Sequence, residues 1–167
     1  MHVNSRFAVA VYALGLTLIA KAEAKGEAVT SERLASIVNT NPVVVRRVLG
    51  ALREAGLVTS QPGPGGGWKL TRDAGSITLC DVYRAVEGEP TFSLPHRTPS
   101  EGCPFGNRLP EVLEACFREA EAAMEHRLSQ MTIADVLDAV RGGRLFWETS
   151  GEFGTTAQNS SAVSISR

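Results

Sequence analysis

The residues from Ser31 to Gly56 constrain the fold more than any other stretch of the chain. "SERLASIV" puts Leu34, Ile37 and Val38 on the inward side of one short helix. Thr30 is placed to cap it, and Glu32 in its first turn suits the positive end of the helix dipole. "NTN" then breaks it. Asn41 is a good N-cap, and Pro42 fits a first helical turn, where its missing N–H costs nothing. "PVVVRRVLGALREAG" follows with Val45, Val48, Leu49 and Leu52 on one stripe, and Gly56 ends it. Small Ala35 sits where the two helices must approach closely. Two helices with so tight a break match a helix-turn-helix, whose second helix lies in the DNA major groove. Other helical hairpins give a similar spacing, so the next residues carry weight.

Those residues are "LVTS", a short strand-like run, then "QPGPGGGWKL" at 61–70. Trp68 and Leu70 alternate with Lys69 and Thr71, the period of a half-buried strand. The glycines therefore form a hairpin tip. A phosphate-binding Walker loop is excluded, because Gly67 is followed by Trp68 and not by Lys-Ser/Thr. A dinucleotide fingerprint is excluded too, because a strand and not a helix follows the glycines. Helix-turn-helix plus hairpin reads as a winged helix. Glycine lets such a tip take positive φ and approach a sugar-phosphate surface closely. A plain surface turn is the other reading. Trp68 reads as the anchor of the wing and not as a base-stacker.

Charge supports a divided chain. Residues 1–75 hold nine Lys/Arg and five Asp/Glu, and residues 76–167 hold eight and thirteen. A basic half joined to an acidic remainder suits a polyanion-facing module with a different task behind it. With 167 residues and 43% apolar content, the chain can bury one core. Near the start, the 14-residue run Phe7–Ala20 and the triplet Ala22-Glu23-Ala24 resemble a secretory signal. The lone Arg6 before the run, and Gly15 and Thr17 inside it, argue for a core helix instead. Phe7, Val11, Leu14 and Leu18 recur there at helical spacing, with Ile19 beside them. The run is too short to span a bilayer, so no membrane partner is expected, and sparse cysteine use suits a reducing cytoplasm.

"TNPVVVRRVLGALREAGLVTSQPGPGGGWKLTR" followed by "ITLCDVYRAVEG" resembles the Rrf-two (Rrf2) family of bacterial winged-helix transcription regulators. The resemblance covers about residues 1–141 and includes "NSRFAVAVYAL". It implies a homodimer in which a long helix from each subunit crosses its partner, with two winged helices on a near-palindromic operator in double-stranded DNA. Carried onto this chain, the implied DNA contacts are Asn41, Val43, Arg46 and Arg47 on the recognition helix, and Gln61, Gly63, Gly65 and Gly66 at the wing. The first helix, starting near Ser5 and Arg6, would meet a phosphate. Chemistry adds to this list of positions. Arg46 and Arg47 point about 100° apart, and the core side is taken by Val45, Val48 and Leu49. Arg46 is assigned to base readout, since arginine pairs bidentately with guanine. Arg47 is assigned a phosphate or intramolecular contact. Two solvated arginines are the plainer reading.

The second half repeats an arrangement. "TLCDVYRAVEG" has Thr78 as N-cap, Asp81 three residues on and Gly88 as its stop. "TIADVLDAVRGG" has Thr132, Asp135 and Gly142 in the same places. Between them, "RLPEVLEACFREAEAAMEHRLSQM" puts Leu109, Leu113, Cys116, Ala120, Met124, Leu128 and Met131 on one face, with Val112 and Phe117 alongside. Glu111, Glu114, Glu121 and Glu125 fall largely on the other. A face so long suits a subunit interface, with an intramolecular core helix as the alternative.

The family's cluster-binding members carry three closely spaced cysteines before the long helix. Here that loop has Cys103 alone, so no iron–sulfur cluster, and no other cofactor or metal, is predicted. Cys103 is a candidate thiol sensor, seven residues after His96 and just before a helix N-terminus that would lower its pKa. A loop cysteine without a role is the alternative. Cys80 and Cys116 are expected to pack. An oxidant or a small-molecule effector would each be compatible.

The expected fold is mainly α with a small β-hairpin: a winged helix-turn-helix over 1–75, a helical dimerisation and candidate sensor region over 76–145, and a Ser/Thr/Gly-rich disordered tail over 146–167. The expected function is a DNA-binding transcriptional regulator acting as a repressor. Its alternative is a winged-helix dimer that binds another protein. No nucleophile–base–acid set points to an enzyme, and a thiol enzyme built on Cys103 is a remote third class.

Overall fold

A computed structural model describes residues 5–22, 29–63, 65–87, 90–95, 105 and 108–142. The tail expected over 146–167, Gly88, and the sensor candidates His96 and Cys103 lie outside them.

The chain runs α1 (Arg6–Ala22), α2 (Ser31–Val38), α3 (Pro42–Glu54), β1 (Val58–Gln61), β2 (Gly67–Leu70), a 3-10 turn (Ala74–Ser76), α4 (Leu79–Val86), α5 (Arg108–Ser129) and α6 (Ile133–Gly142). The first-helix expectation holds in kind and shifts in detail. Val9, Ala10, Ala13, Leu14 and Thr17 are buried, while Phe7, Val11 and Leu18 lie at the edges of that stripe. Small residues occupy the middle because other helices pack close there. Gly15 faces Leu137 of α6, whose Cδ2 would lie 3.4 Å from a Cβ placed on it. Buried Thr17 satisfies its hydroxyl by donating to the Ala13 carbonyl at 2.7 Å.

The helix-turn-helix forms through its caps. Thr30 Oγ1 accepts from Arg33 N at 3.2 Å to start α2. Asn39 ends it in the left-handed region, φ 52°, and its N–H bonds back to Ala35 and Ser36. Two residues later, Asn41 Oδ1 accepts from Val43 N at 2.8 Å and Pro42 opens α3. Leu34, Ala35, Val45, Val48, Leu49 and Leu52 are all buried. Ile37 departs from expectation. It is 53% exposed, because α2 is only two turns long and its buried stripe is set by Leu34 and Ala35.

The hairpin is antiparallel, with Val58 opposite Leu70 and Gln61 opposite Gly67. It is tied to the helices at its base. Trp68 N donates to Val29 O at 3.0 Å, so a residue ahead of α2 extends the sheet by one bridge.

The repeated Thr-x-x-Asp segments meet each other. Thr78 and Asp81 form a complete capping box at α4. Thr132 and Asp135 exchange the same two bonds at α6. The two thresholds pair as an antiparallel bridge, with Leu79 N donating to Met131 O at 2.7 Å and Ile133 N to Ile77 O at 2.9 Å. Gly142, expected to stop α6, itself lies within the helix, Ile133–Gly142. One core results, built from α1, α2, α3, α4 and the start of α6.

Candidate nucleic-acid interface

The surface of α3 opposite its buried stripe carries the residues singled out from the sequence. Asn41, Val43, Arg46 and Arg47 are all exposed, Val43 by 48%. The N-terminal cap of α3 uses the Asn41 side chain, so that side chain is fixed at the helix entrance.

The two arginines differ from expectation in which one is engaged within the chain. Arg46 Nη2 donates to Glu32 Oε1 on α2 at 2.9 Å, with both side chains more than half exposed. The Arg46 hydrogen bond holds the Glu32 carboxyl below the usual carboxylate range. Arg47 is exposed on α3. The intramolecular contact that was one of the two roles expected of Arg47, the other being a phosphate contact, is seen here for its neighbour. It falls to Arg46, whose side chain projects toward the first turn of α2.

Trp68 is a wing anchor. Half-buried, it donates from Nε1 to Ser31 Oγ at 3.1 Å, and Ser31 is itself buried. The first turn of α2 thus touches both α3, through Glu32, and the hairpin, through Ser31. At the wing, Gln61 is exposed and its Oε1 accepts from Lys69 Nζ at 2.7 Å across the two strands. Gly63 and Gly65 take φ of 96° and 76°. Gly66 N donates to Gly63 O at 2.9 Å, closing the tip. Ser5 and Arg6 are exposed at the start of α1, on a separate element.

Glu32, Ser31 and Lys69 were missed as contributors from the sequence. Glu32 and Arg46 are 14 residues apart across a turn, and no periodicity links them. Only the interhelical geometry does.

The long helix also differs from its wheel. None of the 22 residues of α5 is buried. Its apolar face splits. Phe117 stacks on Phe92 with ring centroids 5.2 Å apart, and Leu128 packs on the core together with Met131 beyond the helix end. Met124 lines a shallow cleft with Tyr83 and Pro90. Glu121 and Glu125, expected to face away, lie on this inward flank. Glu121 Oε1 accepts from Thr91 N at 2.7 Å, and Glu125 pairs with Arg84 at 2.6 Å. Leu109, Val112, Cys116 and Ala120 are exposed, with Leu113 half-buried beside them. Cys116 is therefore not packed within the protomer, whereas Cys80 is buried and its thiol is pushed up by that burial.

Comparison with known proteins decides the family. The model of the Rrf2 family, described as an iron-dependent transcriptional regulator, matches residues 3–139. The chain belongs to the Rrf2 family. An HTH-type transcriptional regulator of Bacillus subtilis (strain 168), named YwnA, is 37% identical over 136 residues, or 81% of this chain and 97% of that one. A crystal structure described as that of a DNA-binding protein is 35% identical, with a TM-score of 0.62 over 80% of this chain and 99% of the other. T. potens IscR shares the fold, with a TM-score of 0.63 at 21% identity over 87% of this chain and 92% of its own. This is a family of DNA-binding transcriptional regulators and not of enzymes, and the winged helix-turn-helix is its reading fold.

The family description speaks of iron, and the described residues do not fit it. Cys80 is buried on α4 and Cys116 exposed on α5. Among the described residues no group of three or more His, Cys, Asp or Glu side chains is placed to hold a metal ion. No helix among them is long and apolar enough to cross a membrane.

Proposed function

We propose that this Rrf2 regulator acts as a repressor, a homodimer reading a near-palindromic operator with α3 in the major groove and the glycine wing on the neighbouring backbone. The observation that carries this reading is the two-faced character of α3. Its core stripe is fully buried, while Val43, Arg46 and Arg47 stand in solvent beside a hairpin anchored to the same helix pair. Residues 1–75 would read DNA and residues 76–145 would pair the subunits. Two recognition helices related by a two-fold axis would then enter successive major grooves about one duplex turn apart. The strip of α5 made by exposed Leu109, Cys116 and Ala120 with half-buried Leu113 supports pairing, because contiguous apolar surface of that kind favours association. Phe117, Met124, Leu128 and Met131 would back that strip from the protomer side.

In this reading Arg46 specifies a base, Asn41 and Arg47 position the backbone, and Val43 offers an apolar contact such as a thymine methyl accepts. Gln61, Gly63, Gly65 and Gly66 follow the sugar-phosphate surface, and Ser5 with Arg6 meets a phosphate. Arg46→Ala is expected to reduce operator affinity by about 1–3 kcal/mol and relax preference at one base pair per half-site. Selection from randomised duplexes with wild type and variant measures both. Identical base profiles would remove Arg46 from the reading surface.

A further inference from the structure

The arginine assigned to base reading already has a carboxylate on it. Glu32 Oε1 accepts from Arg46 Nη2 at 2.9 Å. Both side chains are well exposed, 64% for Glu32 and 56% for Arg46. An ion pair so open to water adds little to stability. Its consequence is for what the guanidinium can meet next.

Glu32 is held in place from both sides. Thr30 caps its helix, and the neighbouring Ser31 hydroxyl is taken by Trp68 of the wing. The first turn of α2 that carries Glu32 is therefore fixed relative to both the recognition helix and the wing. A guanidinium has five N–H donors in a rigid fork. Glu32 occupies one, leaving the others to face a base edge, which is neutral. A phosphate that took Arg46 would bring its charge against the Glu32 carboxylate, and like charges at such range repel. The depressed carboxyl keeps that negative charge in place across neutral pH.

We infer that Glu32 is a specificity-determining residue, one that orients Arg46 toward a base edge and turns it away from the phosphate backbone. It acts through Arg46 and so is a positioning residue. The inference rests on the DNA-reading function proposed above and adds a second residue, on the other helix of the pair, to the source of discrimination.

Glu32→Gln tests it, since it keeps size and a neutral acceptor while removing the charge. The full chain would be titrated by fluorescence anisotropy on its selected operator and on a scrambled duplex across a salt series. Affinity for the scrambled duplex is expected to rise several-fold, and the operator-to-scrambled ratio to fall. The salt slope on scrambled DNA should steepen by about 1 per protomer, as Arg46 becomes free to take a phosphate. Placed in an Arg46→Ala chain, the same substitution should leave the ratio unmoved. A purely structural role for Glu32 would not move the salt slope. Wild type that discriminates, with a Glu32→Gln variant equal to it in ratio and slope, overturns this inference alone. Wild type that discriminates between no duplexes overturns the DNA-reading function and this inference with it.

Discussion

Gly66 has no room for a side chain. A Cβ there would lie 2.2 Å from the Gln61 carbonyl oxygen and 2.7 Å from that of Gly63, both backbone atoms. Neither can swing away as a flexible side chain would. Gly66→Ala is therefore expected to force the wing tip open. The strands below it keep their own anchors, Trp68 to Ser31 and Trp68 to Val29. The damage should stay local: operator affinity lower by about tenfold, or roughly 1.4 kcal/mol, with the thermal midpoint nearly unchanged. Electrophoretic mobility shifts beside a calorimetric scan would separate the two effects, and full operator affinity in the variant would take the tip off the DNA. At this scale the sequence was legible wherever a residue acts on its own neighbours. Thr30, Asn41, Thr78 and Asp81 cap helices two or three positions away, so their roles follow from spacing alone. Glu32 and Arg46 meet only because two helices cross, and spacing holds no trace of that.

Elements follow the same division. Helices α2, α3 and α4, and both strands, begin and end close to where caps, glycines and alternation put them. The long helix was legible as a helix and misread as a surface. Its wheel places four glutamates away from the apolar stripe, yet two of them face the protomer. Arg84 draws Glu125 inward, and the backbone of Thr91 and Phe92 draws Glu121. The segment that supplies those N–H groups has no periodicity from which its path could be read. The contact has a pH signature. The hydrogen bond from Arg84 holds the Glu125 carboxyl below its ordinary range and pushes the Arg84 guanidinium further up. An acid depressed by folding stabilises the fold above its unfolded value, and that contribution is lost as pH falls through the folded value. Wild type should therefore exceed Glu125→Gln in stability by a small margin at neutral pH. The two should converge only on acidification below the ordinary carboxylate range. Chemical denaturation of both chains across that range checks it. A gap that stayed constant down to strongly acidic pH would mean that Arg84 does not depend on the Glu125 charge.

For the whole molecule, the division of charge and the division of surface point the same way. The basic half carries the winged helix, and the acidic half carries the helix whose outer strip is exposed among the described residues. A lone protomer would leave Leu109, Val112, Cys116 and Ala120 in water. Burying such a strip against a second copy returns about 25 cal/mol for each Å² of apolar area removed from water. Association must also offset lost translational and rotational freedom, so the strip has to be continuous to succeed. A single charge at its centre should then be decisive. Leu113→Glu would bury an unpaired carboxylate in each of two subunits, a large penalty. It would leave the protomer core intact, because Leu113 is only half-buried and stands outside the core cluster. Sedimentation equilibrium should show wild type as a dimer and Leu113→Glu as a monomer, with equal helicity by circular dichroism. Operator affinity should fall with the dimer, since each half-site would then be bound singly and the linkage between recognition helices lost. The order of these losses matters. If Leu113→Glu stayed dimeric, subunit pairing would have to use another face. If it became monomeric yet bound the full operator as wild type does, the two-fold reading of DNA would fail while the winged helix kept its role.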